Sequence, residues 1–320
     1  MRPKLLLSLV LVFSYVFCAA QGGFKNSVGL KSDNDSYLMF GSDRYYTNGL
    51  FLNYSRAFNQ LKTKEKVEKN TLDLTIAQKM YNPFSGNVSN PRRQDRPFAA
   101  YLYAGASYNI FYKNESVLKA GLQVGVVGES AYGKEGQELF HQWFGFYEVT
   151  GWEYGIRDAF AFNMNVQYLR KLLRSSDNVL DMYADAQLNV GTTYNSAAIG
   201  FNIRAGNINQ LFQSISTNSI ISNNGSTPKL SKKNEFFFYL RPGLEMVLTD
   251  ATIQGGFGRS HRTSPVTFGV KPYVFSQAAG INYSSNRFTF DYRVQFNSRE
   301  VKSAARPHQF GSITMNYRFN

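Results

Sequence analysis

Apolar and polar residues alternate with period two along most of this chain. From Phe288, the apolar residues Phe290, Tyr292, Val294 and Phe296 are separated by Thr289, Asp291, Arg293 and Gln295. The same pattern places Phe160, Phe162, Met164, Val166 and Tyr168 opposite Asn163, Asn165 and Gln167, and Leu180, Met182, Leu188 and Val190 opposite Asp181, Asp185, Gln187 and Asn189. Successive side chains of a strand point to opposite faces, so each run has one greasy and one charged side. Twelve runs are predicted as strands: 25–33, 44–58, 70–82, 97–112, 116–128, 158–173, 178–193, 196–207, 235–251, 266–283, 286–299 and 308–319.

Local alternation fits both a soluble sandwich and a membrane barrel with its greasy face outward. Three features favour the barrel. Many runs reach ten or more residues, long enough to cross a bilayer at a tilt. Tyr and Phe cluster near run ends, as in aromatic girdles. The last run closes on Tyr317-Arg318-Phe319, one residue from the terminus. The fold expected is an all-β transmembrane antiparallel barrel of about twelve strands, one domain over 21–320, in the bacterial outer membrane. An even strand count puts both ends on the periplasmic side. Connections 34–43, 83–96, 129–157, 252–265 and 300–307 then face outward, and 59–69 and 208–234 inward. The polar segment 209–234 reads as a loop rather than a plug.

Composition supports this assignment. Aromatics make up 16% of the chain while the mean hydropathy is −0.33. No run after the N-terminus approaches the roughly 18 apolar residues of a spanning helix. Arg2 and Lys4, the apolar run Leu5–Phe17 and the small Ala19-Ala20 form a signal peptide over 1–20. The sole cysteine, Cys18, leaves with it, which removes disulfides and thiolate metal sites from the mature chain. The net charge of +13 suits an anionic lipid surface and outer-membrane lipids as partners. No nucleic-acid partner is expected, and the barrel is expected to be a monomer.

The chemistry concentrates at two outer connections. Lys31-Ser32-Asp33-Asn34-Asp35 ends the first strand and Asp43-Arg44-Tyr45-Tyr46-Thr47-Asn48-Gly49 begins the second. Strand parity points Asp33, Asp35 and Thr47 into the lumen and gives Asn34 the wrong parity for it. The longest outer connection holds Gln137 and His141, four apart on one face of a helical turn. It also carries Leu139, Phe140, Trp143 and Phe144. Bland readings exist for all of these: Asn34 and Asp35 as turn formers, Thr47 as a β-branched strand residue, Asp95-Arg96 as a rim ion pair.

The chain resembles the outer-membrane lipid A 3′-O-deacylase family. The matching stretches are Asn34-Asp35; Tyr46-Thr47 with Gly49-Leu50; Ala77-Gln78 with Tyr81 and Pro83; Asp95-Arg96-Pro97-Phe98-Ala99; Gly136-Gln137; His141; Gly145; and Trp152. The resemblance implies a twelve-stranded, calcium-dependent esterase that removes the 3′-linked acyloxyacyl group from lipid A of lipopolysaccharide. It implies His141 as general base and Asn34, Asp35, Thr47 and Gln137 as further active-site positions. Asp35, Thr47 and Glu148 are the candidate calcium ligands, and Arg92 and Arg93 the candidates to grip lipid A phosphates. The chemistry is consistent: a neutral imidazole accepts a proton from water, and calcium takes oxygen ligands and polarises a carbonyl. The sequence departs from the family pattern at Gly155, where a Gln is usual, and at Tyr147, where an acid six residues past the His is usual. Glu148 lies one step beyond. The rival readings are a porin or structural barrel, and a barrel phospholipase built on His261-Arg262-Thr263-Ser264.

Overall fold

The computed structural model describes residues 23–38, 44–223, 234–256 and 263–320. The signal-peptide span 1–20 lies outside them, as do His261 and Arg262. Twelve antiparallel strands close into a barrel. They are β1 (Asn26–Asn34), β2 (Tyr45–Ala57), β3 (Val67–Asn82), β4 (Ala99–Tyr112), β5 (Ser116–Val127), β6 (Ala159–Arg174), β7 (Leu180–Gly191), β8 (Tyr194–Asn207), β9 (Asn234–Asp250), β10 (Tyr273–Ser285), β11 (Phe288–Asn297) and β12 (His308–Phe319). Each strand pairs with its sequence neighbours, and β1 closes on β12 from Asn26 opposite Phe319 to Asn34 opposite Gly311. No helix among the described residues is long and apolar enough to cross a membrane.

Alternation sorts the side chains as the sequence predicts. Leu30, Leu52, Ile76, Val124, Met164 and Ile199 are exposed on the outside. Lys31, 3.0 Å from Asp33, lies on the inside. Asp33 also accepts the Tyr46 hydroxyl at 2.8 Å. A polar cavity of about 430 Å³ lies within, lined by Gln167, Asp185, Arg241, Glu245 and Arg293 among others. The main shift in bounds is β10, which starts at Tyr273 rather than 266. Pro272 interrupts that stretch just before Tyr273, and proline cannot donate to a ladder.

The inner end corrects the loop expectation for 208–234: its described part, 208–223, is a plug. It leaves β8 at the Arg204 network. There Arg204 donates to Asp181 (2.9 Å) and to the Ser214 hydroxyl (2.6 Å), and Glu235 accepts the Asn209 and Ile215 amides, both at 2.8 Å. The segment then crosses to the opposite wall. Lys119 donates to the Thr217 carbonyl at 2.9 Å and Lys69 to those of Ser219 and Ile221. The Ser222 amide reaches the Phe24 carbonyl at 2.7 Å, and the Gln60 amide reaches that of Asn223 at 2.9 Å. Strands β8 and β9 stand half a ring from β2 and β3, so the plug spans the opening.

The outer end is also filled. Arg96 is wholly buried, 4.2 Å over the Tyr81 ring, and donates to the Thr252 hydroxyl at 3.0 Å. Asp95 accepts the Tyr45 hydroxyl (2.8 Å) and the Phe84 amide (2.9 Å). Asp95-Arg96 is therefore not a rim ion pair: each residue ties a different pair of outer segments. With both ends filled, the protein should show no open-channel steps in planar bilayers. Stable single-channel conductance would contradict the plug. Arg204→Ala leaves Asp181 and Glu235 buried with less compensation, a loss of about 3–5 kcal/mol for a broken buried pair. The barrel should then unfold at a lower temperature, read by the shift from compact to extended migration on heating in detergent.

Candidate active site

One row of residues organises the outer end of the wall. The register aligns Gly311, Asn34, Asn48, Met80 and Ala100 across β12, β1, β2, β3 and β4. Two residues further down, the β2 and β3 partners are Leu50 and Gln78, and beyond them Leu52 and Ile76. Leu50, Leu52 and Ile76 are exposed apolar residues, so the row lies on the lipid side of the wall. Asn34 thus has the parity of the outer surface, as strand parity predicts. β1 ends at Asn34, and residues 35–38 form a 3-10 turn that covers the Gly311 end. A Cβ on Gly311 would meet the Tyr37 Cβ at 2.7 Å, and Tyr37 hydrogen-bonds Ser32 at 2.8 Å. Asp35 is buried and accepts the Arg44 amide at 2.8 Å.

The other end of the row carries a helix, α1 (Gly133–Phe144). Gln78 donates to the carbonyls of Ala131 (2.6 Å) and Tyr132 (3.0 Å), at the helix entrance. Close approach depends on two glycines. A Cβ on Gly133 would run into the Trp152 ring and the Ala100 methyl, and one on Gly136 would come within 3.2 Å of Gln78 Oε1. Beneath the helix, Met80, Phe98, Ala100, Ala131, Val149 and Trp152 form an apolar cluster. It lies outside the barrel because Met80 and Ala100 point outward.

His141 and Gln137 lie one turn apart on the helix face turned to the protein, 6% and 5% exposed. The Trp152 indole N–H donates to Gln137 Oε1 at 2.8 Å. The helix ends at Gly145, whose φ of 70° is left-handed and readily adopted by glycine. That reversal brings the Tyr147 carbonyl within 2.8 Å of His141 Nδ1. A carbonyl only accepts, so Nδ1 carries the proton and the lone pair of the neutral ring is on Nε2. The Tyr147 hydroxyl in turn accepts the Gly86 amide at 3.0 Å. The position where the resemblance expects an acid therefore serves through its backbone, and Glu148 beside it is exposed.

Thr47 is buried at a bulge between Tyr46, paired with Tyr81, and Asn48, paired with Met80. The extra residue breaks alternation: Tyr46 points inward to Asp33, while Asn48 joins the outer row. Arg92 and Arg93 stand exposed on a 3-10 turn. That loop is tied to the helix-bearing loop through Gln94, which donates to the Gly151 carbonyl at 3.4 Å. Among the described residues no three His, Asp or Glu side chains come together as a metal cage. The oxygens of Asp35, Thr47, Asn34 and Asn48 are hard and mostly neutral, a donor set that fits calcium rather than zinc. Sequence reasoning gave no site role to Asn48, Gln78 or the Tyr147 carbonyl. The i, i+3 spacing of Gly133 and Gly136 was the one available sign of a closely seated helix.

The outer membrane protein LpxR family model matches residues 5–319. Among solved structures, LpxR from Salmonella typhimurium aligns with a TM-score of 0.74 at 20% identity, over 92% of this chain and 100% of that one. The beta domain of the Bordetella autotransporter Brka aligns at 0.45 and 11% identity, over 94% of this chain and 99% of that one. The KdgM porin aligns at 0.41 and 8%, over 92% and 99%. No curated protein matches the chain. The fold is thus that of the Salmonella protein.

Gly133→Val should lift α1 from the wall without opening the barrel. Far-ultraviolet circular dichroism and heat-dependent gel migration should stay as in the wild type, while limited proteolysis within 133–147 accelerates. Unchanged proteolysis would show that the helix does not need the close approach.

Proposed function

The chain belongs to the outer membrane protein LpxR family, and on that premise we propose that it removes the 3′-linked acyloxyacyl group from lipid A by calcium-dependent ester hydrolysis. The observation that carries this reading is His141, held by Nδ1 to the Tyr147 carbonyl at 2.8 Å on a helix seated against the lipid side of the barrel. The scissile ester of a lipid lies within the leaflet, so a base on the outer wall meets it where a lumenal base would not.

His141 Nε2 takes a proton from water as the water oxygen attacks the acyl carbonyl. The tetrahedral intermediate collapses by breaking the bond from the acyl carbon to the sugar 3-oxygen. The imidazolium returns its proton to that oxygen, leaving a sugar hydroxyl and a free acyloxyacid. The Tyr147 carbonyl keeps the ring in one tautomer and orientation throughout. Trp152 fixes the carbonyl end of Gln137 and so holds this side chain's orientation beside His141. Asp35 and Thr47, next to Asn34 and Asn48 in sequence, are the residues that would hold calcium, with Glu148, exposed in the loop after the helix, as a further candidate. When bound, the ion supplies Lewis-acid polarisation of the ester carbonyl. Arg92 and Arg93, exposed on the neighbouring loop, would meet lipid A phosphates as rim charges. We further propose that the barrel acts as a monomer. The filled ends of the barrel speak against the porin alternative.

Expression in a lipopolysaccharide-bearing host should shift the lipid A mass by loss of the 3′ acyloxyacyl group. His141→Ala should slow that loss by about 10²- to 10⁴-fold, the usual worth of a general base. Intact lipid A in the presence of wild-type protein and calcium would remove the assignment. Chelation should abolish the activity of the purified protein and added calcium restore it, with Asp35→Asn needing more calcium for half-maximal rate. Full activity in EDTA would remove calcium from the mechanism.

A further inference from the structure

The helix that bears His141 has three sides. Gly133, Gln137 and His141 face the protein. Lys134, Glu135, Glu138 and Gln142 form a polar edge, with Lys134 3.7 Å from Glu138. The third side is apolar and uncovered: Leu139, Trp143 (74% exposed) and Phe144 (62% exposed), continued past the helix end by Phe146 (49% exposed). The phenylalanine rings pack on one another, with Trp143 beside them on the helix. Phe140 packs on Phe144 at 4.6 Å between centroids and on Phe146 at 6.1 Å, and Phe146 meets His141 edge-on at 5.5 Å.

Exposed apolar side chains contiguous over this extent mark an interaction surface. Its location identifies the partner. The helix is seated on Gln78, Met80 and Ala100, and the outward residues next below them on the same strands include Ile76 and Leu74, part of the lipid-facing band. The helix that carries the ridge is therefore seated on a surface that already meets hydrocarbon. A helix with one apolar and one charged edge is the arrangement that lies in a membrane interface, charges to water and rings to acyl chains.

We propose that the ridge of Trp143, Phe144 and Phe146 inserts among the acyl chains of the outer leaflet and holds His141 at the depth of the lipid's ester groups. Insertion rests on the barrel's orientation in the membrane alone; the link to ester depth rests on the hydrolase reading above. Phe146 joins the two, since it touches both the ridge and the imidazole. A lipid drawn to the ridge has its chains beside the rings and its ester toward His141.

Tryptophan fluorescence tests insertion without requiring activity. The chain has two tryptophans, and Trp152 is buried against Phe98. The full mature protein is reconstituted in phosphatidylcholine vesicles brominated on their acyl chains, and Trp143→Phe supplies the Trp152 background. The Trp143 component should be quenched by the brominated chains and be insensitive to aqueous iodide. Quenching by iodide and not by brominated chains would overturn insertion, whether or not the protein is an enzyme. The double variant Trp143→Ser, Phe144→Ser should hydrolyse lipid A in vesicles about tenfold more slowly. Wild-type rates from the double variant would overturn the role in depth. Failure of the hydrolase reading would appear separately, as no hydrolysis by the wild type while acyl-chain quenching persists.

Discussion

The bilayer core offers no water to backbone amides and carbonyls, so a chain that crosses it as strands must pair every one of them within a ring. That constraint sets the β1–β12 closure, in which Asn26 meets Phe319 and Asn34 meets Gly311. It also fixes the alternation, since a closed ring in lipid has one face in hydrocarbon and one in a polar interior. Lys31, Asp33, Arg204 and Asp181 are tolerated because they lie on the inner face and have partners there. Both ends of the interior are closed, by polar networks at the inner end and aromatic packing around Arg96 at the outer one, with a polar cavity between them.

Within that frame the candidate site is built on the wall rather than in the lumen. A bulge at Thr47 turns Asn48 outward while leaving Tyr46 on the inside. A 3-10 turn at 35–38 covers one end of the outward row, and a helix carried by two glycines covers the other. Asn34 and Asn48 lie between them as the floor. The elements on either side of the floor, over β12 and over β3, have two strands between them, three spacings or about 14 Å at ordinary strand spacing.

Much of this was legible in the sequence. Period two gave twelve strands and the greasy face of each, because side-chain alternation in a strand is a local property. The i, i+4 spacing of Gln137 and His141 gave a shared helix face. What failed was non-local. Parity alone could not reveal that Thr47 is an extra residue, or that the helix-bearing outer loop folds down outside the wall. Segment 208–223 has no hydrophobic period, and its order comes from the buried ends of Lys69, Lys119, Arg204 and Glu235, residues of four different strands. The acid sought at 147 was missed for a related reason: a backbone atom supplies the contact.

That last contact bears on how the sequence is free to drift. An imidazole steered by a carboxylate is lost whenever one codon changes. One steered by a peptide oxygen survives any replacement at 147 that leaves the main-chain path intact. The fragile codon is instead the one for Gly145, whose left-handed turn aims the oxygen. A census of acidic side chains would pass over this arrangement, because the chemical group involved is common to every amino acid.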